Sequence, residues 1–270
     1  MSGDFPLVFS VTSGKGGVGK TNLSVNLALC LARKNKKVVL IDADLGLANV
    51  DVLLGLTPAK NLFHLFHEGA SLKEILFPTP YGFSILPASS GVSDMLTLSS
   101  GQKLELLEAV DELEDHVDYL IVDTGAGIND NVLYFNLAVQ ERLVMLTPEP
   151  TSLTDAYALI KVLKLTHGVE HFKVCVNMVP DMKMAKEIFA RLHQACDTFL
   201  SGVSLDFAGF IPRDPAMRKS VLAQKPLCET QPESPAAKAI DQLADTISQW
   251  EVARQLDGNI KFFWKKLLFC

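Results

Sequence analysis

Residues Ser10–Ala28 read SVTSGKGGVGKTNLSVNLA, and this stretch decides the fold. Gly14 to Thr21 satisfies G-x-x-x-x-G-K-T, directly after the apolar run Leu7–Thr12 and directly before an amphipathic run that opens at Lys20. Strand, glycine loop and helix in that order make a phosphate-binding loop; the plainer alternative is a glycine-rich turn that holds nothing. The glycines let successive backbone N–H groups turn toward phosphate oxygens, and the helix N-terminus adds positive potential. Lys20 supplies a cation for the phosphates and Thr21 a hydroxyl for Mg²⁺. The candidate nucleotide contacts are Gly14, Lys15, Gly16, Gly17, Val18, Gly19, Lys20, Thr21 and Asn22. One lysine is surplus to this chemistry: Lys15, five residues before Lys20.

Around the loop, a chain of 270 residues with 48% hydrophobic content and mean hydropathy +0.22 suits one large α/β domain. Short runs rich in Val, Ile and Leu alternate with helix-length amphipathic stretches, the pattern of a mostly parallel sheet covered on both faces. Strands are expected near Leu7–Thr12, Lys37–Asp42, Phe83–Pro87, Tyr119–Asp123, Leu143–Thr147, Lys173–Val179 and Phe207–Ile211. Helices are expected at Lys20–Lys34, Gly101–Asp115, Asp155–His167, Met182–Leu200 and Pro235–Leu256, the third capped by Thr151 or Ser152 with Asp155 completing a capping box. No apolar run approaches the ~18 residues of a bilayer span and the N-terminus lacks signal-peptide features, so the expected location is the cytoplasm. Cysteines at 30, 175, 196, 228 and 270 form no CxxC pair, which points to reduced thiols. The net charge of −6 argues against a broad nucleic-acid surface.

Three acids join the loop as candidates. The run VVLIDADLGLANVD places Asp42 and Asp44 at the carboxyl edge of the sheet, where open α/β folds bind ligands. Asp42 suits the metal shell and Asp44 a water-orienting or proton-accepting role; a helix N-cap is the alternative for Asp44. Asp123 ends the apolar run YLIVD and opens DTGAG, as a carboxylate does that reaches Mg²⁺ from the strand end. Thr21, Asp42 and Asp123 are thus the candidate metal-site residues. Asn177 is followed by Met-Val-Pro, with Pro180 where a guanine-reading acid would stand, so ATP is favoured over GTP.

KGGVGKT, DADLGLANVD, DTGAG, PEPTSLTDAYALIK and GFIPRDPAMRKSV together resemble the deviant Walker A ATPases of the MinD/ParA kind, within the SIMIBI class of P-loop NTPases. The likeness is greatest to the flagellar-number regulators of the FlhG/FleN group and spans nearly the whole chain. It implies a slow ATPase that dimerises on ATP and Mg²⁺ and controls the number or placement of flagella. In that family the extra lysine reaches the neighbouring subunit's phosphates, which would make Lys15 catalytic together with Asp44; an ordinary solvated lysine is the alternative. Asn177, Pro212 and Asp214 would flank adenine, or IPRDP is a plain turn. The implied partners are a second copy of the chain, a FleQ-type transcription activator and the GTPase FlhF. Relatives that stimulate FlhF carry an N-terminal DQAxxLR motif, which this sequence lacks.

The end of the chain, GNIKFFWKKLLFC, differs in kind. On a helix, Ile260, Phe263, Trp264, Leu267 and Leu268 share a face opposite Lys261, Lys265 and Lys266. Such a helix suits the headgroup region of an anionic membrane, and the resembled family ends in a similar one; docking on its own domain or in a dimer groove is the alternative. The expected organisation is an ATPase domain over 1–257 and an amphipathic membrane-targeting helix over 258–270, peripheral to the inner face of the membrane. Competing readings are an iron–sulfur scaffold, a DNA-partitioning ParA-type ATPase and a division-site MinD-type ATPase.

Overall fold

The computed structural model describes residues 6–88, 98–113 and 116–250. Its first half runs β1 (Leu7–Ser13), α1 (Lys20–Arg33), β2 (Val38–Ala43), α2 (Val50–Leu54), α3 (Leu62–Glu68), α4 (Leu72–Ile75), β3 (Phe77–Pro78), β4 (Ser84–Leu86) and α5 (Ser100–Asp111). The second half runs β5 (Tyr119–Ala126), α6 (Asp130–Leu137), β6 (Glu141–Leu146), α7 (Pro150–His167), β7 (His171–Val179) and α8 (Met182–Phe199). It closes with β8 (Ser204–Pro212), α9 (Pro215–Leu222), α10 (Leu227–Thr230) and α11 (Pro235–Ile247). The strands form one sheet in the order β3-β4-β2-β5-β1-β6-β7-β8, parallel except for the two-residue edge strand β3. All seven expected strands are present.

The parallel register decides where chemistry can occur. Asp42 on β2 stands opposite Asp123 on β5, and Val11 on β1 stands opposite the same Asp123. Three strands therefore deliver the phosphate loop and two acids to one carboxyl edge. Side chains alternate along β1: Leu7, Phe9 and Val11 enter the core beneath α1 and α11, while Val8 enters the core under α3 to α6.

Ser10 and Thr12 share the face of Val8 and are fully buried, so their hydroxyls need partners. Asn136 of α6 supplies them: it accepts from Ser10 Oγ (2.9 Å) and donates from Nδ2 to Thr12 Oγ1 (3.0 Å). The Thr124 hydroxyl of β5 lies 3.0 Å from Thr12 Oγ1, so the row ties α6 to both strands that frame the site.

Three helices differ from the expected bounds by several residues. α5 ends at Asp111 rather than Asp115. α7 starts at Pro150 rather than Asp155, because proline at the first helical position has a preset φ and no N–H to leave unpaired. The Ser152 hydroxyl, expected to cap α7, instead accepts the Thr147 N–H at the end of β6 (3.0 Å). α11 ends at Ile247 rather than Leu256, and residues 251–256 lie outside the described residues. Short elements such as α2, α4 and α10 carry too few residues to show a period, which is why pattern alone did not mark them. At the end of the described chain, Trp250 packs edge-on against Phe9, ring centroids 5.7 Å apart, with the Lys173 ammonium over the Trp250 ring.

Replacing Asn136 with Leu should lower the unfolding free energy by about 1–3 kcal/mol, because it strands buried hydroxyls on β1. Urea denaturation of the two proteins measures the difference.

Candidate active site

The loop between β1 and α1 is shaped by two close approaches. A Cβ on Gly14 would lie 2.0 Å from the Asp155 carbonyl oxygen, so α7 rests directly on the loop's first glycine. Gly19 has φ +95°, and a Cβ there would also meet Asn177 Nδ2 at 2.6 Å. Both positions demand glycine, the first for contact and the second for conformation as well. Lys20 is buried at the head of α1, its ammonium 3.1 Å from Ser13 Oγ. Burial lowers its pKa, against the attraction of Asp123 and Asp44.

Asp42 and Asp123 are each 1% exposed and neighbours across the sheet. Burial, and next the charge of Asp123, push Asp42 up to about 8 despite three backbone amides that favour its ionised form. Those amides belong to Asp44 (3.2 Å), Asn49 (3.0 Å) and Val50 (3.1 Å), so Asp42 organises the loop between β2 and α2. Asp123 is pushed by burial up to about 6, opposed by hydrogen bonds from Thr21 and Ser24 and by the charge of Lys20. Ser24 Oγ lies 2.9 Å from Asp123 Oδ1. Two buried acids that are costly to ionise side by side, with the Thr21 hydroxyl on one of them, fit a divalent cation that would relieve the repulsion. Among the described residues no cluster of three or more His, Cys, Asp or Glu forms a cage. Few protein ligands are what Mg²⁺ needs when phosphates and water supply the rest.

Asp44 does not cap α2, whose N-cap is Asn49. Its carboxylate instead lies over β5, with Oδ1 3.4 Å from where a Cβ on Gly125 would be. That position borders the loop opened by DTGAG, and the N–H of Gly127 donates to the Ser13 carbonyl (3.0 Å), closing that loop against the phosphate loop.

On the far side of α1, a cleft of about 260 Å³ is lined by Gly19, Asn22, Asn177, Pro212, Asp214 and Met217, among others. Whole-ligand sites span ~300–1,000 Å³, so this is the size of a subsite. Asn177 Nδ2 donates to the Val18 carbonyl (2.7 Å), fixing the cleft to the loop. Asp214 is held otherwise than as a free base contact: its carboxylate accepts from Ala216 N (2.8 Å) and Ala236 N (3.1 Å), capping α9 and binding it to α11. Against its slight burial, those bonds and one from Ser234 hold the Asp214 carboxyl below the usual range.

Lys15 has partners in its own chain. Its ammonium pairs with the Glu149 carboxylate and donates to Thr151 Oγ1 (2.9 Å), both at the start of α7. Nothing in the sequence marks Glu149 as a partner of Lys15, and Thr151 is marked there only as a helix cap, because 134 and 136 residues separate them from Lys15. Ser13 did leave a signal, as a polar residue on the β1 face that otherwise carries Leu7, Phe9 and Val11, whereas Ser24 is one of several buried polar residues of α1, with Lys20 and Asn26. The cysteines are a further surprise of proximity: Cys30 on α1 is a neighbour of Cys228 on α10, both buried. The proposed membrane-facing residues Ile260, Phe263, Trp264, Leu267 and Leu268 lie outside the described residues.

Comparison with known proteins agrees with this geometry. Residues 6–248 match the ParA family model described as NUBPL iron-transfer P-loop NTPase. The antiactivator FleN of Pseudomonas aeruginosa is 45% identical over 97% of this chain and 93% of its own length. The flagellum site-determining protein YlxH of Helicobacter pylori is 32% identical over 96% of this chain and 88% of its own. The crystal structure of the cell division ATPase MinD from Pyrococcus furiosus superposes with a TM-score of 0.76 at 27% identity, covering 90% of this chain and 98% of that one. A phosphate loop on β1, a strand-end acid on β5 and a match along nine-tenths of the sequence lead to one conclusion: the chain belongs to the ParA family of P-loop NTPases.

Proposed function

We propose that this chain is an ATP-switched antiactivator that controls the number or placement of flagella, acting as a dimer with slow ATP hydrolysis. The observation that carries the reading is the family's nucleotide site on a chain 45% identical to FleN along 97% of its length. Division-site relatives are more distant, at 32% for the chloroplastic MinD homologue of Arabidopsis thaliana, so a MinD-type role is not favoured. Iron transfer is not favoured either: Cys30, Cys175, Cys196 and Cys228 are all buried, and burial pushes the thiols of Cys175 and Cys196 up to about 12 and 11.

In this reading the N–H groups of Gly14 to Thr21 hold the β- and γ-phosphates, Lys20 neutralises them, and the cleft beside Asn177 and Pro212 takes the adenine. Thr21 with Asp123, and Asp42 behind them, would hold Mg²⁺, which supplies charge neutralisation on the phosphates when bound. Asp44 orients the attacking water and accepts its proton. Lys15 of each copy turns to the phosphates of the other, so that hydrolysis waits for assembly. The partner is a flagellar transcription activator, the class of target an antiactivator requires, with the GTPase FlhF as a second candidate.

Asp44→Ala should bind ATP as the parent does, persist as a dimer by light scattering, and hydrolyse about 10²–10⁴-fold more slowly. Used as bait in extract of its own cells, the trapped dimer should capture a flagellar activator; capture of division-site proteins instead would overturn the flagellar reading.

The reading includes peripheral attachment to the inner face of the cell membrane through residues 258–270. Three lysines at about 1 kcal/mol each and one short apolar face make a single tail marginal, whereas two tails in a dimer gain roughly 10²–10⁴ in avidity. Sedimentation with anionic vesicles should therefore depend on ATP, and should be lost in the Phe263→Glu, Trp264→Glu double variant.

A further inference from the structure

We propose that Glu149 and Thr151 form a catch that holds Lys15 on its own subunit and thereby sets the nucleotide concentration at which two copies pair. The inference rests on the dimeric reading above and adds the device that regulates it. Lys15 leaves a glycine-rich loop and ends at the first turn of α7, on the Glu149 carboxylate and the Thr151 hydroxyl. That is a poor place for a cation. A helix N-terminus carries partial positive charge, and the first turn of α7 has no acidic residue to offset it.

Glu149 sits at the N-cap, yet its side chain makes no capping hydrogen bond. Its carboxylate is spent on Lys15 instead. Without that counter-charge, the helix end and the Lys15 ammonium repel each other. The contact is also easy to open, since the side chains of Lys15 and Glu149 are 34% and 60% exposed. Exposed pairs of this kind are weak, so a triphosphate presented by a second copy outcompetes the single carboxylate. The catch thus holds Lys15 while the subunit is alone and yields when a loaded partner arrives.

A symmetric dimer opens two catches, so the effect of each enters squared. Loss of an exposed ion pair releases about 2–5-fold per subunit, hence about 4–25-fold in the pairing equilibrium. The test is sedimentation velocity of the full chain titrated with a non-hydrolysable ATP analogue and Mg²⁺. Glu149→Gln, which keeps the shape and removes the charge, should form half-maximal dimer at an analogue concentration about 2–5-fold lower, because each dimer takes up two nucleotides and pairing varies with the square of the analogue concentration. Thr151→Val, which loses one hydrogen bond and keeps the ion pair, should shift the same way by less. The double variant Lys15→Ala, Glu149→Gln should match Lys15→Ala alone, because Glu149 acts only through Lys15. An unchanged or higher midpoint for Glu149→Gln, or an equal shift in the Lys15→Ala background, would overturn the catch while leaving the dimer standing. A parent protein that stays monomeric at saturating nucleotide would overturn the dimeric reading itself.

Discussion

Two carboxylates buried side by side, Asp42 and Asp123, are the constraint around which the rest of the site is arranged. Charges in that position repel each other and cannot call on water, so every adjacent element is spent on them. Three backbone amides from the loop after β2 turn inward to Asp42. Ser24, Thr21 and Lys20, all from the first turns of α1, converge on Asp123. The β2 loop takes its course from one acid, and α1 presents its polar residues to the other. A cation on the phosphate side would complete an arrangement that the protein leaves short of positive charge.

What could be read from the sequence divides according to distance along the chain. The phosphate loop was legible because strand, glycines, lysine, threonine and helix are contiguous and each step has a local cause. Asp42 and Asp123 were legible because acids at the ends of apolar strands arrive at one edge in any parallel sheet. The duty of Asp42 as anchor of its own loop was not, since amide direction depends on the path of residues 44–50. Asp214 lines the cleft proposed for adenine, and its engagement with the amides of α9 and α11 was not legible, the bond to Ala236 being a contact across 22 residues. Glu149 escaped notice for the same reason at six times that separation. The start of α7 was misplaced because a hydroxyl cap and a proline first turn compete for the same few residues, and PEPTSLTD contains both.

The two lysines of the loop show how five residues separate two kinds of chemistry. Lys20 belongs to the helix and is pulled inward, its ammonium held near Ser13 and in the field of two acids. It has little freedom, which suits a group that must always be in place when phosphate enters. Lys15 belongs to the loop and points outward to a partially exposed acid. Its freedom would be an advantage for a group with the two destinations proposed above. Glycines at 16 and 17 on its C-terminal side permit that freedom, with Gly17 in the left-handed region at φ +77°.

A link therefore exists between the loops even before any partner is considered. Gly14 touches α7 at Asp155, Lys15 touches α7 at its first turn, and Gly127 donates to Ser13 at the end of β1. The phosphate loop is thus a meeting point of α7 and of the segment after β5, while Asp44 lies over that same segment at Gly125. Phosphate bound at Gly14 to Thr21 would be felt by α7 and by the DTGAG segment through direct contact, without any need for a long path through the core. Both lie at the carboxyl edge of the sheet, on the side that the proposed dimer would have to use for Lys15 to reach a neighbour's phosphates.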